Sequence, residues 1–557
     1  MIREILHQQS KGMPSDVGQA VIRNGRLDLE SIMPFSSVLL EKLNRALIAR
    51  DVQQGFELLA RSGRELAGLS PAEPRAAEYL LCIAEWVDLG YRNIEYLTEL
   101  TARFAGVSRG GMIFREYLCL RMVEAHLAFV AEEAAHAAEV FGVVLQSEPG
   151  VMEPHLVVLA HFWKCRAHRR QGEYELALHH IQEAKRAAAR MNAPKMVAVI
   201  NIHESWLLFQ RGQRHEAYRL LDEAEAELKS TGHALSLGNI ESARGRFVRR
   251  SGEYTKALTH FERAINIFSA SIPDHPNHAR ALVNAAYVKR LIALDLRYRS
   301  TSGRAKGADH TKYLEICQDA LRLLSQAAKI YSRQHHQAGT GSVLVNAGHL
   351  HLESGDIDRA ESEAQKAYEL GEEKQDHILM ARARLLQAAI QNERAEEQVG
   401  ESADVATHAH QARSYAEAAI TLAKLTQNSR LLAGAYVMRS TVAANEFFQD
   451  WETAKHFASL AGEMLGKDDL DHISKQLSLL KTHIMRATGV DEMLRAWSEG
   501  ILGEKTFQQV SEAFAELVIP KVWMREGKKI SRVAEQLSIS PKKVRRILTN
   551  VNLLKQG

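Results

Sequence analysis

The sequence predicts an all-α protein, a superhelical solenoid of antiparallel helix pairs followed by a small helical domain. Three observations carry this. First, the 557 residues are 46% hydrophobic but only 6% aromatic, with 11 prolines and 34 glycines as interruptions. Ala, Leu, Glu, Arg and Gln make up the bulk, and they lose little rotamer freedom in a helix. Second, a glycine–alanine pattern recurs through the body at a spacing near 40 residues. Third, charge is unevenly divided. The whole chain is +3, but Lys521 to Gly557 holds ten Lys or Arg against Glu526 and Glu535, so the preceding 520 residues carry −5. A small basic end is attached to a mildly acidic body.

Several classes are excluded early. The apolar content is ample for a core, so the chain is not disordered. No stretch approaches the roughly 18 to 20 uninterrupted apolar residues needed to span a bilayer. Met1 to Gly18 lacks a charged-then-apolar signal pattern. Cys82, Cys119, Cys165 and Cys317 lie far apart in apolar stretches with no CxxC pair, and read as reduced core residues of a cytoplasmic protein.

The sequence divides into a leader (1–35), a helical solenoid (36–488), a linker (489–505) and a C-terminal domain (506–557). In the solenoid, GEYELALHHIQEA (Gly172 to Ala184) recurs as GQRHEAYRLLDEA (Gly212 to Ala224), GEYTKALTHFERA (Gly252 to Ala264) and GDIDRAESEAQKA (Gly355 to Ala367). A small residue follows each glycine by five positions and another comes seven later, as in Ala177 and Ala184. The same register picks up Ala320 with Ala327, Ala412 with Ala419 and Ala454 with Ala461, while Ala137 fits with Phe141. The first alanines fall at 137, 177, 217, 257, 320, 360, 412 and 454. A glycine free to adopt positive φ ends the first helix of a pair. Alanines two turns apart let the neighbouring helix approach closely. No pair buries its apolar face alone, so pairs stack into a continuous core.

These residues resemble the tetratricopeptide repeat, through Gly-x-Tyr-x-x-Ala at Gly172 and Gly252, Ala257–Phe261–Ala264, and Gly245 and Gly348 in the preceding helices. The 40-residue units look like the sensor arms of bacterial transcription activators of the maltose-regulon type. The resemblance implies a groove that takes a protein, a peptide or a small ligand. Two units are stretched, by a basic segment (297–312) and an acidic one (393–407). Both are expected to be surface loops projecting from one edge, the sharper alternative being a pair of contact loops.

After Gly489 the rhythm stops. Thr506 can cap a helix, and Val522 to Val551 then reads as two short helices. Val533, Ala534 and Leu537 form the buried face of the first, Ser538 to Ser540 a tight connection, and Ser540 with Pro541 a capped start to the second. Val544, Ile547, Leu548 and Val551 give an apolar stripe. Lys542, Lys543, Arg545, Arg546, Thr549 and Asn550 lie opposite it. Two short helices, a three-residue turn and a cationic second helix describe a helix-turn-helix, whose second helix would enter the major groove of double-stranded DNA.

Gly527, Ala534-Glu535-Gln536-Leu537, Ile539-Ser540-Pro541-Lys542, Val544, Arg545-Arg546, Leu548 and Asn550 are similar to the DNA-binding domain of the LuxR type. The resemblance implies contacts from Ser540, Lys542, Lys543, Arg545, Arg546, Thr549 and Asn550, with Lys528 and Lys529 near the DNA backbone. Lys543 and Ile547 depart from the residues usual in that family, so a sequence preference does not carry over. The family's Leu-Thr-x-Arg-Glu start is absent, with Pro520 in that region. The chain also ends before the fourth helix through which such domains pair, leaving the oligomeric state open. A factor-for-inversion-stimulation-like helix-turn-helix is a near relative in pattern.

No G-x-x-x-x-G-K-[ST], GxGxxG or HExxH occurs, and GILGEKT (Gly500 to Thr506) follows no strand. Histidine pairs such as His179–His180, His335–His336, His349/His351 and His408/His410 have spacings that cannot chelate one ion alone. No catalytic, cofactor or metal site is therefore expected. The expected function is transcription regulation by a helical-repeat sensor controlling a DNA-binding end, with Gly489 to Gly503 as hinge. The alternative is a non-enzymatic adaptor with a C-terminal docking bundle. Non-specific nucleic-acid binding is a weaker third reading.

Overall fold

The computed structural model describes residues 37–147, 153–301, 308–397, 404–466, 468–487, 506–551 and 553–554, with a two-residue hairpin pairing Ile22–Arg23 (β1) and Arg26–Leu27 (β2). The leader otherwise, and the whole 489–505 linker with its hinge and its GILGEK string, lie outside the described residues. An N-terminal group holds α1 (Ser37–Ala49), α2 (Val52–Arg61), α3 (Gly63–Ala67), α4 (Ala76–Asp88) and α5 (Ile94–Ala102). Eight helix pairs follow: α6 (Phe114–Val130) with α7 (Ala134–Leu145), α8 (Pro154–Gln171) with α9 (Tyr174–Arg190), α10 (Pro194–Gln210) with α11 (Arg214–Leu228), and α12 (Ala234–Arg250) with α13 (Tyr254–Ser271). The series continues with α14 (Pro276–Thr301) and α15 (Ala308–Arg333), α16 (Gln337–Glu353) and α17 (Ile357–Glu373), α18 (His377–Glu397) and α19 (Asp404–Lys424), and α20 (Ser429–Ala443) and α21 (Trp451–Met464). Helix α22 (His472–Ala487) covers the last pair.

The periodic residues sit where their chemistry requires. The seven alanine pairs from Ala177 and Ala184 to Ala454 and Ala461 are all wholly buried, as are Ala137 and Phe141. Phe261 fills the space between Ala257 and Ala264 and reaches Gly245 of the preceding helix. A Cβ at Gly245 would lie 2.9 Å from the Phe261 ring. Burying such a ring contributes roughly 1.5–3 kcal/mol. All four cysteines are buried and unbonded.

One expectation is corrected. The 297–312 and 393–407 segments are not loops throughout. They lengthen their pairs, so that α14 and α15 run 26 residues each and α18 and α19 run 21. Arg and Ala in both segments, with Lys in the first and Glu in the second, favour helix over coil, leaving only 302–307 and 398–403 outside the described residues. The concave inner surface is partly closed over. The superhelix winds until its turns meet connections several units further along. Gln427 N donates to Gly172 O at 2.9 Å, and Leu470 N donates to Arg250 O at 3.1 Å. Ala338 N donates to both Glu132 oxygens, at 2.7 and 2.8 Å. Asp469, between α21 and α22, pairs with Arg214 at 2.6 Å and Arg250 at 2.9 Å.

This seam separates two otherwise similar glycines. Gly212 and Gly252 both turn with positive φ, at 81° and 78°. A Cβ at Gly212 meets open space, whereas one at Gly252 would stand 2.7 Å from the Leu470 carbonyl oxygen. Gly212→Ala is therefore expected to cost about 1 kcal/mol, the left-handed penalty alone. Gly252→Ala should cost about 2–3 kcal/mol, because seam backbone must also shift. Parallel thermal melts of the two variants check the difference.

Candidate nucleic-acid interface

The C-terminal domain is built from α23 (Phe507–Arg525), α24 (Ile530–Gln536) and α25 (Pro541–Asn550). Thr506 and Gln509 form a reciprocal capping box at the start of α23. That helix continues through Pro520, so Ile519, Val522 and Trp523 reach a core with Val533, Ala534, Val544, Ile547 and Leu548. Ser538 turns at φ 52°, and Ile539 N closes the connection onto Ala534 O at 3.0 Å. Ser540 Oγ accepts from Lys543 N at 3.2 Å, with Pro541 in the first turn.

With Val544, Ile547 and Leu548 inward, Lys542, Lys543, Arg545 and Arg546 are exposed, as is Asn550, and Thr549 is half-buried. The geometry divides the residues that the sequence singles out. Arg546 Nη2 pairs with Glu512 at 2.8 Å, and Asn550 Nδ2 donates to Glu516 Oε1 at 3.4 Å. These two therefore face α23, because residues 546 and 550 share an i, i+4 stripe running over its acidic turns. Lys542, Arg545 and Thr549 form the neighbouring stripe. Lys528 and Lys529 are exposed before α24, and Lys528 Nζ sits 5.8 Å from the centre of the Trp523 ring. Arg532 is a further exposed cation on α24 that the motif reading passed over.

The solenoid carries a second cationic feature. A chamber of about 1520 Å³ lies inside the superhelix. Its described lining holds twelve arginines and no lysine, against five carboxylates: Glu85, Asp88, Glu95, Asp274 and Asp376. Some arginines are matched. Arg166 meets Asp88 at 2.5 Å, Arg170 meets Glu132 at 2.8 Å, and Arg290 Nε meets Glu353 at 2.7 Å. Asp88 is held far below the carboxylate range: burial would raise it, but Arg166 and His126 outweigh that. Others contact only neutral groups. Arg169 reaches His203 Nδ1 at 3.5 Å, Arg249 donates to Asn284 Oδ1 at 3.3 Å and lies over Tyr287, and Arg382 donates to Ser342 Oγ at 3.4 Å. Arg246 Nε is buried with no partner among the described residues.

Sequence reasoning did not single out these residues, although a signal existed. Arg166 and Arg169 precede Gly172 by six and three positions, and Arg246 and Arg249 precede Gly252 identically. The repeat register thus places arginine on the chamber side of helices two units apart.

Seven chamber-lining histidines (His126, His203, His233, His275, His336, His349 and His472) are pushed down by burial, and two of them show the pH dependence this gives the fold. His126 stacks on Trp163 with centroids 4.2 Å apart, and burial, against Asp88, pushes it down to about 4. Burial, then Arg50 and His275, pushes His233 down to about 3. Both folded values lie below the unfolded 6.5, so the unfolded chain binds protons first as pH falls. Stability is retained above 6.5 and lost progressively below it. From pH 6.5 to 5 these two should remove about 3 kcal/mol, each approaching roughly 1.4 kcal/mol per pH unit only below its unfolded value. Denaturant titrations of wild type and His126→Gln at the two pH values measure that residue's share, and the variant should show the flatter slope.

A tetratricopeptide-repeat family profile matches residues 236–293, within α12 to α14. No curated protein matches the chain. Among solved structures, a Rap protein complexed with competence and sporulation factor is 11% identical, covering 80% of this chain and 99% of that one at a TM-score of 0.46. The apo form of the quorum sensor NprR from B. thuringiensis is 13% identical, covering 77% and 98% at 0.39. A human IFIT1 dimer with m7Gppp-AAAA is 12% identical, covering 83% and 97% at 0.43. No described helix is long and apolar enough to cross a membrane.

Proposed function

We propose that the chain is a non-enzymatic, cytoplasmic regulator that binds double-stranded DNA through its C-terminal helix-turn-helix, under control of a ligand or partner received by the repeat superhelix. One observation carries the reading. A Ser540-capped helix buries Val544, Ile547 and Leu548 and leaves Lys542, Lys543 and Arg545 exposed on its other side after a tight turn. Cations there suit phosphate oxygens or guanine O6 and N7. Of the LuxR-type contact set, Lys528, Lys529, Ser540, Lys542, Lys543, Arg545 and Thr549 remain in the proposal. Arg546 and Asn550 serve to set the bundle against α23.

The experiment is fluorescence anisotropy of the full chain with duplex fragments of its own genome, across 50 to 200 mM salt, beside a chain ending at Gly489. Six or more phosphate contacts lose about 10³- to 10⁵-fold affinity over that range. Steep salt dependence that disappears on truncation supports the proposal, and absence of binding to every fragment rejects it. Exposed Phe507 and Phe514 on α23, 78% and 50% accessible, favour the adaptor as second reading. In that case the bundle docks on protein through an apolar face.

A further inference from the structure

We infer that the chamber binds a small anion carrying adjacent phosphates, such as a nucleoside polyphosphate, held by Arg169 of α8, Arg246 and Arg249 of α12, and Arg280 of α14. The inference deepens the proposed sensor role, on which its regulatory meaning rests, but binding itself does not depend on the C-terminal domain. None of these four guanidinium groups forms a carboxylate pair among the described residues. Arg169 contacts His203 and lies over Trp206, Arg249 contacts Asn284 and Tyr287, and Arg246 Nε is buried without a partner. Arg280 has Tyr331 as its hydroxyl neighbour.

They also feel one another. Arg246 is pushed well below its ordinary value by burial and then by Arg169, Arg280 and Arg249. Arg169 is pushed down to about 10 by burial and then by Arg280. Arg280 is exposed to the chamber and the other three are half-buried; like charges gathered there without counter-charge are destabilising, and such perturbation clusters at functional sites. The missing counter-charge is the ligand.

Its chemistry follows from charge density and from the choice of arginine. A carboxylate brings a single charge, whereas one phosphate brings about −1.5 to −2. A terminal phosphate brings that charge and each bridging one about −1 more, so a di- or triphosphate comes near the charge of the four guanidinium groups. Arginine forks bind phosphate oxygens in pairs, as lysine cannot, and the lining has arginine alone. The chamber of about 1520 Å³ exceeds the roughly 300–1000 Å³ of usual small-molecule sites, leaving room for a nucleoside. Half-exposed Tyr287, beside Arg249, offers a flat surface.

The test is calorimetric titration of the full chain with inorganic tripolyphosphate, ATP and hexaglutamate, alongside thermal melts. Tripolyphosphate and ATP should bind with micromolar Kd and raise Tm. Arg246→Met, which removes the charge but keeps bulk, should weaken both at least tenfold and raise the ligand-free Tm by about 1–2 °C. Arg169→Gln supplies a second variant if the first fails to fold. Tighter binding of ATP than of tripolyphosphate assigns the nucleoside space; equal binding assigns the phosphates alone. No heat with either, binding unchanged in both variants, or equal affinity for hexaglutamate overturns the inference. A chain with Lys542→Glu and Arg545→Glu should keep its tripolyphosphate affinity. A DNA-binding failure is thereby told apart from a chamber failure.

Discussion

Replacing Lys542 and Arg545 together with glutamate is expected to weaken DNA binding by about 10³-fold or more at moderate salt, while Tm moves little. Each residue is exposed on α25, opposite Val544, Ile547 and Leu548, and has no partner among the described residues. Reversing the charge removes a phosphate or base contact and adds repulsion, and one good base contact alone is worth about 1–3 kcal/mol. Surface substitutions away from a core or a cap usually stay within about 0.5 kcal/mol of neutral. Arg546→Glu is the informative contrast. It would add a carboxylate beside Glu512 and Glu516, so Tm should fall with any loss of binding. Anisotropy and circular dichroism melts on the two proteins separate a DNA contact from a bundle contact.

That contrast marks how far the sequence was legible. Along α25 the apolar stripe, the Ser540 cap and the Pro541 start all depend on local spacing, and each lies where its spacing requires. What spacing cannot supply is the neighbour. The side of α25 opposite its core is wide enough for two stripes, and only the position of α23 decides which one meets Glu512 and Glu516. The solenoid behaves in the same way. Glycines and alanines forty residues apart reveal the pairs, because helix approach is a short-range steric matter repeated in every unit. Closure of the superhelix depends instead on small rotations accumulated over many units. Gly172 beside Gln427, or Arg250 beside Leu470, leaves no periodic trace. The chamber arginines are intermediate. Their register at 166, 169, 246 and 249 is visible in the repeat, but that they face an enclosed space is known only once the seam is formed.

Asp469→Asn should be the most damaging single change at that seam, at about 3–5 kcal/mol, the usual range when one partner of a buried ion pair is removed. Its side chain is 2% accessible and is shared by Arg214 and Arg250, which come from the turns of earlier units. Burial would raise its pKa, but Arg250 and Arg430 hold it below the usual carboxylate range. The loss has two sources. The amide cannot balance the Arg214 and Arg250 guanidinium groups, and those groups remain at the seam without a counter-charge, whereas Arg430 keeps Asp471. The sign of the pH dependence then distinguishes this contribution from the histidines. A depressed carboxylate stabilises above its unfolded value of about 3.9, and that contribution is lost only as pH falls through the folded value. The difference in stability between wild type and variant should therefore stay constant from pH 8 to 5, while both proteins lose the histidine contribution in parallel below 6.5. Denaturant melts at pH 8, 6.5 and 5 decide the matter. A cost under about 1 kcal/mol would place Asp469 among ordinary surface pairs and leave the seam to its backbone hydrogen bonds. The full cost at every pH makes one carboxylate the clasp of the superhelix.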